Sequence, residues 1–404
     1  MATTVILLIL ITILIIWKLC SKPSKYPPAA ELSSKYGDVV GLYLGSTPLV
    51  IISGLDTVKA AGAREDLSGR PRTKLALDLG LIFSQGDLWR EQRRFTLRHL
   101  RDLGFGKHSM QGLIHEEEID AMSGQGQRYE YGDARLQTLL HLSKELLTRT
   151  DASGGIAQNF PILLKLCPRL TEYDKIVEVR QKVFDFIKED VLTHREKEQL
   201  LAICKDLFVA GSDTTFNSIT YALVYMLNYQ NIQRKVQEEL DNIVGQDRLP
   251  ALDDRQKLVY TEATLQEIMR MSSAVPLAVP HAPLENSVQF HDYIIPKNTR
   301  ILLNISHVHM DRKIWGDPEM FRPERFIDDD GKLLRPDALM SFGSGKRQCL
   351  GESLARNNVF LTFTAIMQRY CMLVPSGEKA PSLKATGGFT IGPEPFHCLM
   401  KPRF

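Results

Sequence analysis

Apolar residues recur along this chain in three rhythms, and each predicts a different kind of element. The first is continuous. Ala2 to Trp17 is uncharged and almost wholly aliphatic, and Leu19 and Cys20 extend the run past Lys18. The second is helical, with apolar positions three and four apart. It predicts helices from Trp89 onward, over Leu200–Tyr229, over Arg234–Val244 ending at Gly245, over Tyr260–Met271 ahead of Pro276, and from Glu352 to about Met367. Residues 114 to 194 are mostly helical by composition. The third is short and strand-like. Val39–Leu44 and Leu49–Ile52, split by Gly45 to Pro48, read as a β-hairpin. Val288–Ile295 and Arg300–Ile305 read as short strands, and the carboxyl terminus from Ala385 as strand and turn. Asp317–Phe326 is Pro-interrupted irregular chain. The sum is an α+β protein, mainly helical, with a small β-part and one large domain.

The leading apolar run predicts an N-terminal membrane anchor helix over residues 1–20, followed by a hinge over 21–30 and a main domain over 31–404. Its length is short for a span, but a thin endoplasmic reticulum bilayer and a snorkelling Lys18 accommodate it. Lys18, Lys22 and Lys25 follow the run and no basic residue precedes it, which keeps the main domain in the cytosol. A cleaved signal peptide is the competing reading; the lack of a positive n-region and of a small-x-small site counts against it. The sequon Asn304-Ile305-Ser306 would then face the cytosol and stay unmodified.

Composition adds little beyond this. The 404 residues are 44% hydrophobic and 24% charged, with a net charge of +2, an ordinary globular balance. There is no basic run that tracks nucleic acid. Six cysteines, at 20, 167, 204, 349, 371 and 398, show no paired spacing, so neither a disulfide framework nor a zinc site is indicated.

The chemistry concentrates at Phe342–Gly351, which reads Phe-Gly-Ser-Gly-Lys-Arg-Gln-Cys-Leu-Gly. Cys349 lies behind a glycine-rich turn, beside Lys346 and Arg347, at the start of a helix, where a thiol is expected to be biased toward thiolate. Gly343, Gly345 and Gly351 would let the backbone lie close against something flat. A thiolate under a flat object suits axial ligation of haem iron; a buried structural cysteine in a capping turn is the other reading. The stretch resembles the cysteine-ligand loop of the cytochrome P-450 family, in which Phe342, Gly345, Arg347, Cys349 and Gly351 match every fixed position.

The resemblance extends over most of the chain. Ala210-Gly211-Ser212-Asp213-Thr214-Thr215 resembles the family's oxygen-activating helix. It implies that Thr214 acts in dioxygen activation, that Asp213 belongs to the proton-delivery chain, and that Gly211 makes room for the ligand. By itself the segment is a poor helix interior that predicts a kink or a site, or else hydroxyls bonding back to helix carbonyls. Glu267 and Arg270, one helical turn apart, together with Arg325 of Phe321-Arg322-Pro323-Glu324-Arg325-Phe326, resemble the family's buried structural Glu-Arg-Arg network. Trp89 with Arg93, and Arg347, Arg70 and His281, resemble the contacts to the two haem propionates. The pocket implied is apolar, lined by Phe208, Val275, Leu277, Val279 and Phe389. The stretch Gly86–Phe95 and those over Leu100–Lys107, Asp253–Arg270 and Val275–His281 look like animal microsomal family-two enzymes, and among these the methyl farnesoate epoxidase group of insects.

The chain departs from that pattern in one region. Residues 97–208 are too few for the helical roof of the family, and Arg70 to Trp89 is compressed. A splice or gene-model truncation and a naturally shortened enzyme both account for this. The resemblance implies a monooxygenase that uses haem b held by Cys349 and inserts one oxygen atom into a lipophilic small molecule. Its electrons would come from NADPH through a separate reductase, since the chain has no strand–GxGxxG–helix unit. Its partners would be that NADPH-cytochrome reductase, the substrate and membrane lipid, with no nucleic acid. The alternatives are a haem-dependent peroxide isomerase, against which Asp213-Thr214 argues, and a shortened non-catalytic form that binds haem poorly or not at all.

Overall fold

The computed structural model describes residues 29–72, 79–102, 104–105, 111, 134–150, 152, 159–160, 163, 172–190 and 197–404. The anchor expected over 1–20, most of the hinge and much of the 97–208 region lie outside the described residues. No described helix is long and apolar enough to cross a membrane.

The described helices are α1 (Ala29–Tyr36), α2 (Leu55–Ala63), α3 (Gly86–Asp102), α4 (Ala134–Arg149), α5 (Tyr173–Asp190), α6 (Lys197–Asn228), α7 (Gln230–Ile243), α8 (Val259–Ser272), α9 (Ile305–His309), α10 (Arg312–Trp315) and α11 (Glu352–Arg369). The strands are β1 (Val39–Leu44), β2 (Thr47–Ile52), β3 (Val288–Phe290), β4 (Tyr293–Ile295), β5 (Arg300–Leu303), β6 (Tyr370–Leu373), β7 (Ala385–Gly387), β8 (Ile391–Pro393) and β9 (Leu399–Pro402). The architecture is mostly helical with small sheets.

The expected hairpin is present: β1 and β2 pair antiparallel, with Val39 opposite Ile52 and Leu44 opposite Thr47. β5 adds to β2 in parallel, Leu49 opposite Arg300, which joins the two ends of the domain. All four β5 residues are buried although β5 is an edge strand, because its other side is covered, with His281 bridging Ile301. The remaining strands form three two-stranded pairs, β3–β4, β6–β9 and β7–β8. The β6 strand was not foreseen; its residues continue the apolar rhythm of α11, and only pairing with β9 distinguishes them.

Two apolar clusters hold the molecule. One gathers α6, α7, α8 and α11 around Met226, Val236, Leu240, Ile268, Phe360 and Phe363. The other packs the three-stranded sheet and α2 against Trp315, Phe326 and Met340. The buried stretch of α8, Thr261 to Arg270, includes the charged residues Glu267 and Arg270, both 0% exposed. Such groups must find partners inside, since an unpaired buried charge is strongly destabilising.

Of the readings open for the Gly211–Thr215 segment, the structure shows hydroxyls bonding back within a continuous helix: α6 runs from Lys197 to Asn228. The hydroxyls of Ser212, Thr214, Ser218 and Thr220 donate to the carbonyls four residues earlier, at Phe208, Ala210, Thr214 and Phe216. That back-bonding satisfies them without opening the helix. The sequon is closed by packing: Asn304 is 0% exposed. Its amide donates to Ser53 Oγ and its oxygen caps the His307 N–H.

Candidate active site

Cys349 sits at the mouth of α11. Its N–H donates to the Phe342 carbonyl at 2.9 Å, closing the loop on itself. Phe342 lies under the Arg356 guanidinium, 4.7 Å from its ring centroid, and so anchors the loop to α11. The loop docks on α2 through two glycines. A methyl group on Gly345 would lie 2.0 Å from the Gly62 carbonyl oxygen. Gly345 is thus turned to α2, not to a flat ligand as expected. Gly343 and Gly351 differ: a methyl group on either would meet no atom within 4 Å.

The thiol does not have the cationic setting that the sequence suggests. Lys346 is exposed. Arg347 turns away, stacking 4.0 Å from the Trp89 ring centroid and donating to the Ser68 and Ser84 carbonyls. Cys349 is accessible to solvent yet crowded by neighbours, which places it in a recess. Crowding pushes the thiol pKa up, with Glu352 adding to it; the Gly351 N–H and the Arg93 guanidinium oppose it. Arg93 comes from α3 and is fixed by its bond to the Gln348 carbonyl at 2.8 Å. Coordination to a cationic metal would deprotonate such a thiol outright. Among the described residues no three His, Cys, Asp or Glu side chains gather as a metal cage. Cys349 alone can therefore serve only a metal that brings its own ligand frame.

Arg347 leads from the cysteine loop into a buried cluster with Arg70 and His281. Arg70 and His281 are each 6% exposed. Arg70 donates to the Ile82, Val279 and Pro280 carbonyls. Burial holds its pKa well below the usual arginine range, and Arg347 adds repulsion. Burial pushes Arg347 down to about 9, with Arg93 contributing. His281 is held well below the usual imidazole range by burial and by Arg70 and Arg347. No carboxylate is among the charges acting on these three groups. Arg347 Nη1 and His281 Nδ1 are buried without a hydrogen-bond partner. Two unpartnered donors without a counter-charge, joined through Arg347 to the loop that carries Cys349, fit a prosthetic group with two carboxylates and one iron. Haem is such a group.

Thr214 and Asp213 lie on α6. Thr214 Oγ1 donates to the Ala210 carbonyl at 2.7 Å. Asp213 Oδ2 accepts from Thr390 Oγ1 at 2.5 Å and from Asn217 Nδ2 at 3.1 Å. Thr390 belongs to the turn between β7 and β8, so the carboxylate ties the carboxyl-terminal hairpin to α6. A methyl group on Gly211 would meet no atom within 4 Å, leaving the helix face open there.

Glu267, Arg270 and Arg325 come together in one network. Arg270 meets Glu267 in a two-point pair at 2.7 and 2.9 Å. Arg325 Nε reaches the same carboxylate at 3.0 Å. The arginines spend their remaining donors on backbone carbonyls and one further carboxylate: Arg270 on the His309 and Pro318 carbonyls, Arg325 on the Trp315, Asp317 and Met320 carbonyls and on Asp317 Oδ1 at 3.0 Å. The pocket residues divide. Leu277 and Phe389 pack together against Leu49, Ile51 and Leu302. Phe208 instead joins Leu139, Val183 and Leu201 between α4, α5 and α6. Val279 offers its carbonyl to Arg70, and Val275 its carbonyl to the Ala278 N–H.

Sequence reasoning missed several members of this site. Gly62, Thr390 and His309 carry no motif signal, because their partners are distant in the chain. Ser68 and Ser84 act through backbone carbonyls, which no side-chain pattern reveals.

Comparison with known proteins agrees with this geometry. The family model described as Cytochrome P450 matches residues 11–124 and 172–400. Farnesoate epoxidase of Bombyx mori is 32% identical, over 92% of this chain and 87% of its own. Cytochrome P450 2U1 of Homo sapiens is 32% identical, over 93% and 80%. Cytochrome P450 2D15 of Canis lupus familiaris is 30% identical, over 93% and 88%. The first alignment runs over 432 positions, more than the 404 residues of this chain, so that relative has residues this chain lacks. With the family model covering most of its length and these relatives spanning nearly all of it, the chain belongs to the cytochrome P450 family.

Proposed function

We propose that this protein is a haem-thiolate monooxygenase with Cys349 as the iron ligand. The observation that carries the reading is the buried cluster of Arg70, His281 and Arg347, with two unpartnered nitrogens, joined through Arg347 to the loop of the accessible Cys349 thiol. When bound there, haem supplies dioxygen activation and transfer of one oxygen atom to a C–H or C=C bond.

The chain's own residues do the rest. Arg70, Arg93, Arg347, His281 and Trp89 orient the group by its carboxylates and edge. Phe342 and Gly351 shape the space around the sulfur. Thr214, whose hydroxyl donates to the Ala210 carbonyl, would turn that proton toward a ligand bound at the open helix face near Gly211. Asp213, held by Thr390 and Asn217, would relay protons to that hydroxyl. Glu267, Arg270 and Arg325 act structurally, as a lock beneath the cysteine loop.

The substrate is a lipophilic small molecule, hydroxylated or epoxidised, with Leu277, Phe389, Val275 and Val279 offering apolar surface. The likeness to a farnesoate epoxidase makes sesquiterpenoid acids and esters the first class to screen. Electrons come from NADPH through a separate membrane-bound reductase. Residues 1–20 anchor the protein in the endoplasmic reticulum membrane, and residues 31–404 form the catalytic domain in the cytosol. The shortening falls in the helical roof within 97–208.

Reconstitution with haemin, NADPH-cytochrome reductase and sesquiterpenoid substrates tests the proposal. The expected result is a thiolate-type carbon-monoxide band and NADPH-dependent oxygenated product. A haem complex lacking that band rejects the thiolate assignment, and product formed from peroxide but never from NADPH rejects the monooxygenase reading.

A further inference from the structure

We propose that His309 is a positioning residue for the cysteine loop: its ring ties Met340, at the entry to the loop, to the buried Glu267–Arg270–Arg325 network. His309 ends α9 and is 0% exposed. The Met340 N–H donates to its Nε2 at 3.0 Å, so that nitrogen carries no proton. Nδ1 therefore holds the hydrogen and donates to Ser273 Oγ at 2.6 Å. Ser273 passes its own hydrogen to the Arg270 carbonyl at 3.0 Å. The His309 carbonyl accepts from Arg270 Nη1 at 2.6 Å. The ring is thus fixed at both nitrogens and the backbone at its oxygen.

From Met340 the order is handed on toward Cys349. Ser341 Oγ donates to the Met269 carbonyl at 3.1 Å, the Gly343 N–H to the Met340 carbonyl at 2.8 Å, and the Cys349 N–H to the Phe342 carbonyl at 2.9 Å. His309 is therefore the side chain that connects the buried charge network to the loop at its first fixed amide.

The same geometry excludes a proton. A second N–H on the ring would point at the Met340 N–H and place a cation beside Arg270. The charged groups facing the ring are Arg270 and, beyond it, Glu267 and Arg325. Burial and Arg270 lower the His309 pKa to about 3. Opening the loop entry frees the ring to take a proton with its ordinary pKa near 6.5. Protonation then favours the open form, and its population rises about tenfold per pH unit below about pH 6.5.

The proposal concerns a loop whose importance rests on the Cys349 reading, but its test does not use the iron. Hydrogen exchange at Met340 is followed in the purified full-length chain, with and without haemin, from pH 7.5 to 5.5. After correction for intrinsic exchange, the opening constant at Met340 is expected to rise with acid as stated. His309→Gln, whose side-chain oxygen can accept from Met340, is expected to keep protection and lose the pH slope. His309→Phe fills the space without an acceptor and is expected to lower Met340 protection roughly tenfold or more, with Leu240 in α7 unchanged. A pH-independent opening constant in the unsubstituted chain overturns the proposal, as does a full pH slope in His309→Gln. Failure of Cys349 as ligand would show in the carbon-monoxide spectrum and leave these exchange results standing.

Discussion

Gly345 and Gly62 meet backbone to backbone, so close that a methyl group on Gly345 would stand 2.0 Å from the Gly62 carbonyl oxygen. Gly345 also holds a left-handed φ of +76°. The cysteine loop is thereby seated on α2 by two residues that have no side chains. Gly345→Ala is expected to destabilise the chain by about 1–3 kcal/mol from backbone strain alone, and more from the collision. Gly351 has ordinary φ and open space around it. Gly351→Ala should leave the melting temperature near its original value while weakening haem retention. Thermal unfolding and haemin titration separate the two. A Gly345→Ala protein that melts like the parent would show that the loop is not seated this way.

Cys349→Ala should abolish the thiolate-type carbon-monoxide band while the protein still expresses. The thiol donates no hydrogen bond that holds the loop; the closing bond to Phe342 comes from the backbone N–H. Persistence of that band in the variant would remove Cys349 from the site.

Glu267→Ala should be among the most damaging single changes in the molecule. Arg270, 0% exposed, would lose its carboxylate partner, while Arg325, its side chain 4% exposed, would keep its pair with Asp317. Leaving buried charge unpaired costs about 3–5 kcal/mol. The expected outcome is loss of soluble haem-containing protein, and a well-folded, haem-replete variant would refute the structural role.

Thr214→Ala should leave haem incorporation intact and divert reducing equivalents to peroxide. In the resting protein its hydroxyl bonds only within α6, to the Ala210 carbonyl, so its removal costs little stability. Peroxide released per NADPH is the measurement. Unchanged coupling to product would mean that back-bonding to the helix is its whole role.

Phe389 and Phe208 should behave differently when made smaller. Phe389 follows the β7 end of the carboxyl-terminal hairpin and packs with Leu277, next to Thr390 and its Asp213 partner. Phe389→Leu should alter product distribution more than haem content. Phe208 packs between α4, α5 and α6, so Phe208→Leu should lower stability, with product distribution unchanged. The opposite assignment of effects would place Phe208 in the pocket and Phe389 in the core.

The chain's periodicities alone located α3, α6, α7, α8, α11 and the β1–β2 hairpin, because local apolar spacing is written into adjacent residues. Five positions in ten residues, Phe342 to Gly351, likewise carried the family resemblance, since a ligand loop is contiguous. Tertiary structure decided the rest. The sequence suggested that Lys346 and Arg347 would act on the thiol, but Arg347 stacks on Trp89 and Arg93 from α3 takes that place. The Gly211–Thr215 segment, a poor helix interior by composition, stays within α6, where Ser212, Thr214 and Ser218 each donate to a carbonyl one turn back. Gly62, Thr390 and His309 act on residues far away in the chain, at Gly345, Asp213 and Met340. A buried hydrogen bond or a close backbone approach depends on where two distant segments meet, and spacing along one segment holds no record of that meeting.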